Sequence, residues 1–316
     1  MIDYLDFEKP AAALSQSAAD LRASGTPEGA AEADRLDERA AKLVADLYAR
    51  LTPWQRTQVA RHPMRPRFSA YVAGITSTFM PLAGDRAFSD DPAIIGGLAT
   101  IGERRVVLIG HEKGNDTKSR LAHNFGMGRP EGYRKAIRLM ALAGRFGLPV
   151  VTLVDTAGAF PGIDAEARGQ AEAIARATEA CLALPVPMIS VIVGEGGSGG
   201  AVALAAGSRV LMFEHAIYSV ISPEGCASIL WRADNGATNQ AALAAEAMKV
   251  TAPDLLRLGV IDRIVAEPVG GAHRNPGQAC ASLKAAIGEE LAILSGRDAA
   301  TLKQERARKF LAMGAL

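Results

Sequence analysis

The apolar residues of the chain follow two different periodicities. In the N-terminal segment they recur at helical spacing and give a single stripe, formed by Leu36, Ala40, Leu43 and Leu47. Thr26 followed by a proline predicts the start of this helix, and residues 52–55 form a capping box that predicts another. Because the segment carries no catalytic grouping, it is predicted to be a helical arm that docks against or braces the rest of the molecule.

From residue 93 onwards the pattern becomes typical of strands and helices that alternate. Two β-type runs, at 93–100 and 105–110, predict a hairpin. Uniformly apolar runs predict buried strands at 150–154, 188–193 and 209–213. Helical patterns between the strands predict helices at 131–146 and 164–182. Fully apolar strands that alternate with helices indicate a largely parallel sheet covered on both faces, and therefore an α/β fold. In such sheets ligands bind at the carboxyl ends of the strands.

Glycine is unusually frequent, with 32 of 316 residues, and it clusters directly after two predicted strands, at residues 155–162 and 194–200. Glycine leaves backbone N–H groups unshielded, and a helix that begins there adds unpaired N–H donors and the positive end of its dipole. This combination suits an anionic oxygen, either a phosphate or an oxyanion formed during a reaction. The alternative is that the glycines serve only to form tight turns.

The second glycine stretch also satisfies the fingerprint of a dinucleotide-binding turn. Residues 194–199 match it, and Glu214 follows twenty residues after its start. Against it, the helix predicted at 201–206 is short for the crossover that such a fold requires, and another strand–loop–helix unit comes first.

The same stretch also fits a nucleophile elbow centred on Ser198, with Asp262 and His273 downstream in the appropriate order for a serine hydrolase. However, glycine on both sides would fix a nucleophile poorly. His273 is equally well explained as part of a surface loop at residues 270–276. Both interpretations are kept as alternatives to an N–H-rich pocket at a helix start.

Charge is almost balanced, with 35 Lys+Arg against 34 Asp+Glu, which argues against a nucleic-acid-binding protein. Residues 111–138 are the exception, because this stretch contains seven basic residues and only three acidic ones. The basic residues are Lys113, Lys118, Arg120, Arg129, Arg134, Lys135 and Arg138. This stretch is either a solvated basic face or a landing surface for a phosphate-bearing substrate or an acidic partner.

The remaining composition predicts a cytoplasmic, soluble chain without a metal of its own. No apolar run approaches the roughly 18 residues of a membrane span, and the N-terminus lacks the pattern of a signal peptide. The three cysteines, Cys181, Cys226 and Cys280, have neither a disulfide framework nor a zinc spacing.

Six short stretches, by their order and spacing along the chain, identify a family more specifically than any one of them alone. They are LAGDR at 82–86, NFGM at 124–127, PEGYRKA at 130–136, GEGGSGG at 194–200, YSVISPEGC at 218–226 and GGAHRNP at 270–276. With them, essentially the whole chain, from LDFE at 5–8 to the C-terminal helices, resembles the alpha subunit of bacterial acetyl-coenzyme A carboxylase carboxyltransferase. Two positions depart from that family, which usually shows proline and tyrosine where this chain has Ala157 and Phe160. Phe160 keeps the ring but lacks the hydroxyl, which puts any hydrogen bond from that group in doubt.

The resemblance implies a crotonase-like (ClpP/crotonase) spiral of ββα units with an N-terminal helical arm. We divide the chain accordingly into the arm at 1–38, a carboxyltransferase domain at 39–296 and a C-terminal helix at 297–316. The implied reaction transfers a carboxyl group from carboxybiotin, on a biotin carboxyl carrier protein, to acetyl-CoA and forms malonyl-CoA for fatty acid synthesis. The implied assembly contains two alpha and two beta subunits, with zinc in the beta subunit and ATP used by the partner biotin carboxylase.

The resemblance also implies roles for individual residues. The backbone N–H groups of Gly199 and Gly200 are expected to form an oxyanion hole that faces biotin. The other residues of the expected biotin pocket are Gly158, Ala159, Phe160, Gly196 and Gly197. The candidate contacts for coenzyme A or a partner are the basic residues Lys113, Lys118, Arg129 and Arg134.

Overall fold

The computed structural model describes residues 3–231 and 237–314. Within these residues one mixed sheet of eight strands runs in the order β1-β2-β3-β4-β5-β6-β8, with β7 beside the end of β5. The strands are β1 Thr76–Pro81, β2 Ile94–Ile101, β3 Arg104–His111, β4 Val150–Thr156, β5 Met188–Gly197, β6 Arg209–Phe213, β7 Ile217–Ser219 and β8 Arg263–Val265.

The sheet begins as an antiparallel hairpin and continues as a parallel sheet. β1, β2 and β3 pair antiparallel, whereas β3 to β6, β7 and β8 all pair parallel. Every residue of β4 and β5 is buried, because helices cover both faces of the parallel part. The predicted hairpin and the predicted α/β sheet are therefore confirmed.

Helices surround this sheet, with two further short 3-10 turns at Asp6–Glu8 and Asn124–Gly126. The α-helices are α1 Lys9–Ala23, α2 Pro27–Tyr48, α3 Pro53–Ala60, α4 Phe68–Ile75, α5 Thr117–Ala122, α6 Pro130–Phe146, α7 Ile163–Ala167, α8 Gln170–Ala183, α9 Ser198–Ala205, α10 Pro223–Leu230, α11 Ala237–Ala247, α12 Ala252–Arg257, α13 Pro276–Leu294 and α14 Ala299–Ala312. None of the helices in the described residues is long and apolar enough to span a membrane.

Capping residues mark helix ends where the sequence predicts them. Thr26 caps α2 by accepting a hydrogen bond from the backbone N–H of Gly29. Thr52 and Gln55 form the reciprocal capping box of α3. Gly147, with φ 65°, ends α6 in the left-handed conformation that favours glycine.

A buried carboxylate near the N-terminus joins the first residues to later parts of the chain. Glu8 is fully buried and accepts hydrogen bonds from the Tyr48 hydroxyl at 3.1 Å and from Arg274 at 2.7 Å. Helix α2 continues without a break across residue 38, and Val44 and Tyr48 at its C-terminal end pack in one cluster with Val59.

Two expected elements differ from the sequence prediction. The helix expected at 164–182 is broken into α7 and α8, because Gly169 between them takes a left-handed φ of 83°. The expected glycine loop at 194–200 is regular structure, because β5 continues to Gly197 and α9 begins at the next residue.

Candidate active site

The two glycine stretches meet at the carboxyl ends of β4 and β5. A Cβ added to Gly200 would lie 2.6 Å from the carbonyl carbon of Gly158 and 2.7 Å from the nitrogen of Ala159. A Cβ added to Gly197 would lie 2.2 Å from the carbonyl oxygen of Ala157. Glycine at these positions therefore allows one backbone to pack directly against the other.

Helix α9 begins at this contact with its first N–H groups free of intrahelical partners. The N-cap is Gly197, which has no side chain to cap them. Ser198, the first helical residue, has a φ of 53°, a left-handed conformation that is unusual for serine. This sharp turn from strand to helix places Gly199 and Gly200 in the first turn, with Gly199 half-buried and Gly200 buried.

The facing segment, residues 157–160, is partly self-bonded. The N–H of Gly158 donates to Thr156 Oγ1 at 3.1 Å, and the Thr156 hydroxyl donates to the carbonyl of Gly158 at 2.7 Å. The N–H of Phe160 donates to the carbonyl of Gly128 at 2.9 Å. A substrate oxygen could take the N–H of Gly158 only if that residue gave up its bond to Thr156.

The remaining predicted pocket residues lie in the strand itself. Gly196 and Gly197 are buried and pair with Tyr218 and Ser219 of β7. A Cβ on Gly196 would lie 2.8 Å from the Tyr218 ring. These two glycines therefore fix the position of the strand end and do not form a flexible loop.

Two cavities of different character open beside this turn. One, of about 400 Å³, is strongly charged, and its lining includes Arg61, Arg67, Lys113, Arg120, Phe125 and Glu195. The other, of about 480 Å³, is mainly apolar, and its lining includes Ser198, Val202, Tyr218, Val220, Ile221 and Met248. Ala157 and Glu195 border the charged cavity, so both cavities adjoin the meeting point of the two stretches.

An ionic network lines the charged cavity and extends to the buried carboxylate of Asp155. The Lys113 ammonium contacts Asp155 at 2.8 Å and Glu195 at 3.3 Å, while Arg67 contacts Asp155 at 3.0 Å and Arg61 contacts Glu195 at 2.7 Å. Burial favours the neutral carboxyl of Asp155, but the attraction of Lys113 and Arg67 outweighs it and holds the pKa of Asp155 well below its ordinary value. Asp155 is therefore ionised at neutral pH.

The basic stretch is largely engaged within the chain. Arg129 contacts Asp164 at 2.9 Å and lies 4.3 Å from the centre of the Phe160 ring. Arg134 contacts Asp85 at 3.1 Å and Glu131 at 3.2 Å. Lys135, Arg138 and the half-buried Lys113 are likewise bonded to carboxylates or carbonyls. Lys118, in contrast, is exposed. The basic residues of 111–138 therefore do not form a continuous surface of free cations on which an anionic substrate or partner could land.

Both alternative motifs are incompatible with the geometry. A dinucleotide fingerprint needs its glycines in the turn after a strand, whereas Gly194 to Gly197 belong to β5 itself and the last two of them pair with β7. A hydrolase triad needs Asp262 near Ser198, but Asp262 precedes β8 and accepts from the N–H of Val210 at the start of β6. Ser198 follows the carboxyl end of β5, whereas Asp262 precedes the amino end of β8. Because these strands run parallel, the two residues lie at opposite ends of the strands.

The ionic network was not found from the sequence. Asp155 directly follows a largely apolar run, and a charge at the carboxyl end of a buried strand is a signal for a site residue. Arg67 lies 88 positions from its partner Asp155, and Arg61 lies 134 positions from its partner Glu195, so no local pattern connects them. Within the described residues, no group of three or more His, Cys, Asp or Glu side chains could hold a metal ion.

Solved structures show which fold this chain shares. The fold matches that of transcarboxylase 12S with a TM-score of 0.61 and 18% identity, over 74% of this chain and 42% of that one. It also matches Pseudomonas malonate decarboxylase, solved as an MdcD–MdcE hetero-dimer, with a TM-score of 0.58 and 18% identity over 77% of this chain and 96% of that one. The predicted crotonase-like fold is confirmed.

Sequence comparison shows the family. The model of the acetyl co-enzyme A carboxylase carboxyltransferase-like family matches residues 4–314, and the chain belongs to this family. It is 66% identical to the acetyl-coenzyme A carboxylase carboxyl transferase subunit alpha of Rhizorhabdus wittichii, over 99% of this chain and 100% of that one. The subunit of the same name from Sphingopyxis alaskensis is 65% identical over 99% of each chain. The resemblance found in the six sequence stretches is confirmed.

Proposed function

We propose that this chain is the alpha subunit of a biotin-dependent carboxyltransferase that moves a carboxyl group from carboxybiotin to acetyl-CoA and forms malonyl-CoA. The observation that carries the proposal is the start of α9, which has no side-chain cap for its first N–H groups and packs against the 157–160 segment. The relatives bear the name of this subunit over nearly their full length. The proposal accounts for a site made of backbone donors and lacking a hydrolase triad.

Backbone donors suit this chemistry because both reacting groups become oxyanions. Release of carbon dioxide from carboxybiotin leaves negative charge on the ureido oxygen of biotin. That anion takes a proton from the methyl group of acetyl-CoA, and the resulting enolate, with its charge on the thioester oxygen, attacks the carbon dioxide. No side chain has to act as nucleophile or base. Loss of one donor of an oxyanion hole typically costs about 2.7–4 kcal/mol of transition-state stabilisation.

Within this scheme the N–H groups of Gly199 and Gly200 form the oxyanion hole that faces biotin. The dipole of α9 adds to their effect, because its positive end points to the same place. Ala159 is the stronger candidate for a second donor, since the N–H of Gly158 is engaged by Thr156. Phe160, Gly196 and Gly197 act by shaping the pocket. Of the basic residues assigned to coenzyme A or a partner, Lys118 is the exposed one, whereas Lys113, Arg129 and Arg134 support the fold around the pocket.

The partners follow from the same proposal. A beta subunit, carrying zinc, completes the site in an assembly of two alpha and two beta chains in the cytoplasm. A biotin carboxyl carrier protein delivers carboxybiotin, which a biotin carboxylase forms with ATP. Within this chain we retain residues 1–38 as the docking arm, 39–296 as the carboxyltransferase domain and 297–316 as the C-terminal helix.

The direct test measures the reverse reaction, the malonyl-CoA-dependent carboxylation of biotin. The purified chain alone is expected to be inactive, and addition of the beta subunit is expected to create activity. Co-purification with a zinc-containing partner of similar size would support the assembly. Reduction of a nicotinamide cofactor by the chain alone, or labelling of Ser198 by a fluorophosphonate, would contradict the proposal. If changes at Gly199 and Gly200 left turnover intact in the assembled complex, the chain would be a scaffold and not a part of the site.

A further inference from the structure

Strand β5 contains a bulge immediately before the candidate oxyanion hole. The β4–β5 ladder pairs Val154 with Ile192 and then Thr156 with Gly196. Between these pairs a single residue of β4, Asp155, faces three residues of β5, numbers 193–195. Two extra residues are thus inserted into β5, and bulges of this kind redirect a strand, often beside active sites.

Two buried charged side chains bind the backbone of this bulge. The carboxylate of Asp155 accepts a hydrogen bond from the N–H of Glu195 at 2.9 Å. The guanidinium of Arg65 donates to the carbonyl of Val193 at 2.9 Å. Gly194, between them, has no space for a side chain, since a Cβ there would lie 2.6 Å from Asp155 Oδ1. The bulge is therefore fitted closely around the Asp155 carboxylate.

Both of these side chains are themselves held in place. Asp155 is 1% exposed and lies between the cations of Lys113, at 2.8 Å, and Arg67, at 3.0 Å. Arg65, also 1% exposed, forms a two-pronged ion pair with Glu267 at 2.9 and 2.6 Å. Despite its burial, attraction to Arg65 lowers the pKa of Glu267 to about 2. The Asp155 carboxylate and the Arg65 guanidinium, which bind the bulge, therefore stay charged and fixed in orientation.

The bulge is connected rigidly to the donors. Only Gly196, Gly197 and Ser198 separate Glu195 from Gly199, and the first two are fixed by pairing with β7. A displacement at Glu195 is thus passed on to the first turn of α9, where Gly200 packs against Gly158 without spare room.

We propose that Asp155 is a positioning residue for carboxyl transfer: by holding the bulge of β5 it sets the direction in which α9 starts, and so the places of the Gly199 and Gly200 N–H groups. The inference rests on the proposed function. Asp155 is 1% exposed, so it acts through the backbone of β5 and not by contact with carboxybiotin or acetyl-CoA. Its contribution appears in the transition state, where the donors must meet the oxyanion.

The test compares Asp155→Asn with the wild-type chain, each in complex with the beta subunit, in the reverse reaction. Asparagine keeps the shape but replaces one oxygen by an NH₂ group, which repels the donors of Lys113, Arg67 or Glu195. We expect kcat to fall about 100-fold, because a shift of about 1 Å in a reacting group has an effect of that size. The KM for malonyl-CoA should stay unchanged, as for the loss of an interaction made only in the transition state.

The matched control is Glu290→Gln. Glu290 is also buried, at 3% exposure, and pairs with Arg209 at 2.8 Å and Arg263 at 3.5 Å. These arginines are the first residues of β6 and β8, at the amino ends of the parallel strands, whereas Gly199 lies at the carboxyl ends. This variant should lose stability but keep its kcat per folded complex, measured with the folded fraction from circular dichroism.

The outcomes are distinct. An active wild-type complex in which Asp155→Asn keeps its kcat, or loses it only in proportion to folded protein, overturns the positioning role and leaves the proposed function standing. An inactive wild-type complex overturns both. If Asp155→Asn fails to fold, Arg67→Gln replaces it, since that change removes one of the cations that orient Asp155. A smaller kcat loss with unchanged KM is then expected, and an unchanged kcat overturns the proposal.

Discussion

The glycine at position 200 offers the sharpest test of how the site is built. Gly200→Ala adds one methyl group and leaves every backbone donor in place. That methyl group would lie 2.6 Å from the carbonyl carbon of Gly158 and 2.7 Å from the nitrogen of Ala159. Both neighbours are backbone atoms, so neither can rotate away as the end of a flexible side chain would. The start of α9 and the 157–160 segment must move apart.

The size of that movement follows from the distances. Ordinary contact begins at 3.4 Å, so the closest pair is short by about 0.8 Å. Overpacking of this kind costs roughly 1–3 kcal/mol of stability, which a folded domain survives. A misplacement of about 1 Å at a reacting centre, in contrast, costs about 100-fold in rate. We therefore expect an assembled complex with kcat reduced about 100-fold and modestly lowered stability.

The assay is the malonyl-CoA-dependent carboxylation of biotin, with assembly followed by size-exclusion chromatography and stability by urea denaturation. Gly288→Ala is the control, because Gly288 lies inside α13 and a Cβ there meets nothing within 4 Å. It should keep full activity and gain up to about 1 kcal/mol, the helical preference for alanine over glycine. Wild-type kcat in an assembled Gly200→Ala complex would refute the claim that this contact sets the donor positions.

Three further predictions concern other parts of the molecule. Ser198→Ala should leave kcat nearly unchanged and fluorophosphonate should not label the chain, whereas loss of a true serine nucleophile costs about 10⁶-fold in kcat. Arg306→Met should lower the free energy of unfolding by about 3 kcal/mol in urea, because it removes bonds to the carbonyls of Cys181, Leu184 and Val186, while Arg176→Met on the exposed face of α8 should not. Burial, with His62, Arg65 and Arg274 nearby, lowers the pKa of His273 to about 3, so the unfolded chain takes up a proton below about pH 6.5 that the folded chain excludes. The free energy of unfolding should therefore fall as the pH drops from 6.5 towards 3, by at most about 1.4 kcal/mol per pH unit, and His273→Gln should flatten this slope in urea titrations at about pH 7 and pH 5.

Sequence patterns predicted the elements whose causes are local. The capped starts of α2 and α3 and the buried strand β4 follow from residues next to one another in the chain. The extension of β5 to Gly197 does not, because it depends on pairing with β7, about twenty residues away. A run of glycines resembles a loop until a partner strand satisfies its backbone. The break at Gly169 was likewise invisible to an apolar periodicity that continues on both sides of it.

The candidate site shows the same division. Glycine clusters after two apolar runs placed Gly158 and Gly200 at one edge of the sheet, and their backbones are in contact. The ionic network was beyond prediction, since Arg67 and Asp155 are 88 positions apart and meet only in the fold. Likewise, the basic count at 111–138 could not show that residues such as Arg134 are already paired with Asp85.

The departure at Phe160 can now be judged from its contacts. Its N–H donates to the carbonyl of Gly128, its own carbonyl accepts from Gln170 at 3.0 Å, and its ring lies under the guanidinium of Arg129 at 4.3 Å. Two of these contacts use the backbone and the third uses the face of the ring, so none of them needs a phenolic hydroxyl. Since the donors proposed for catalysis are backbone groups as well, the site depends on where the main chain is held. A ring that keeps the 157–160 segment in place preserves that geometry whether or not it carries a hydroxyl.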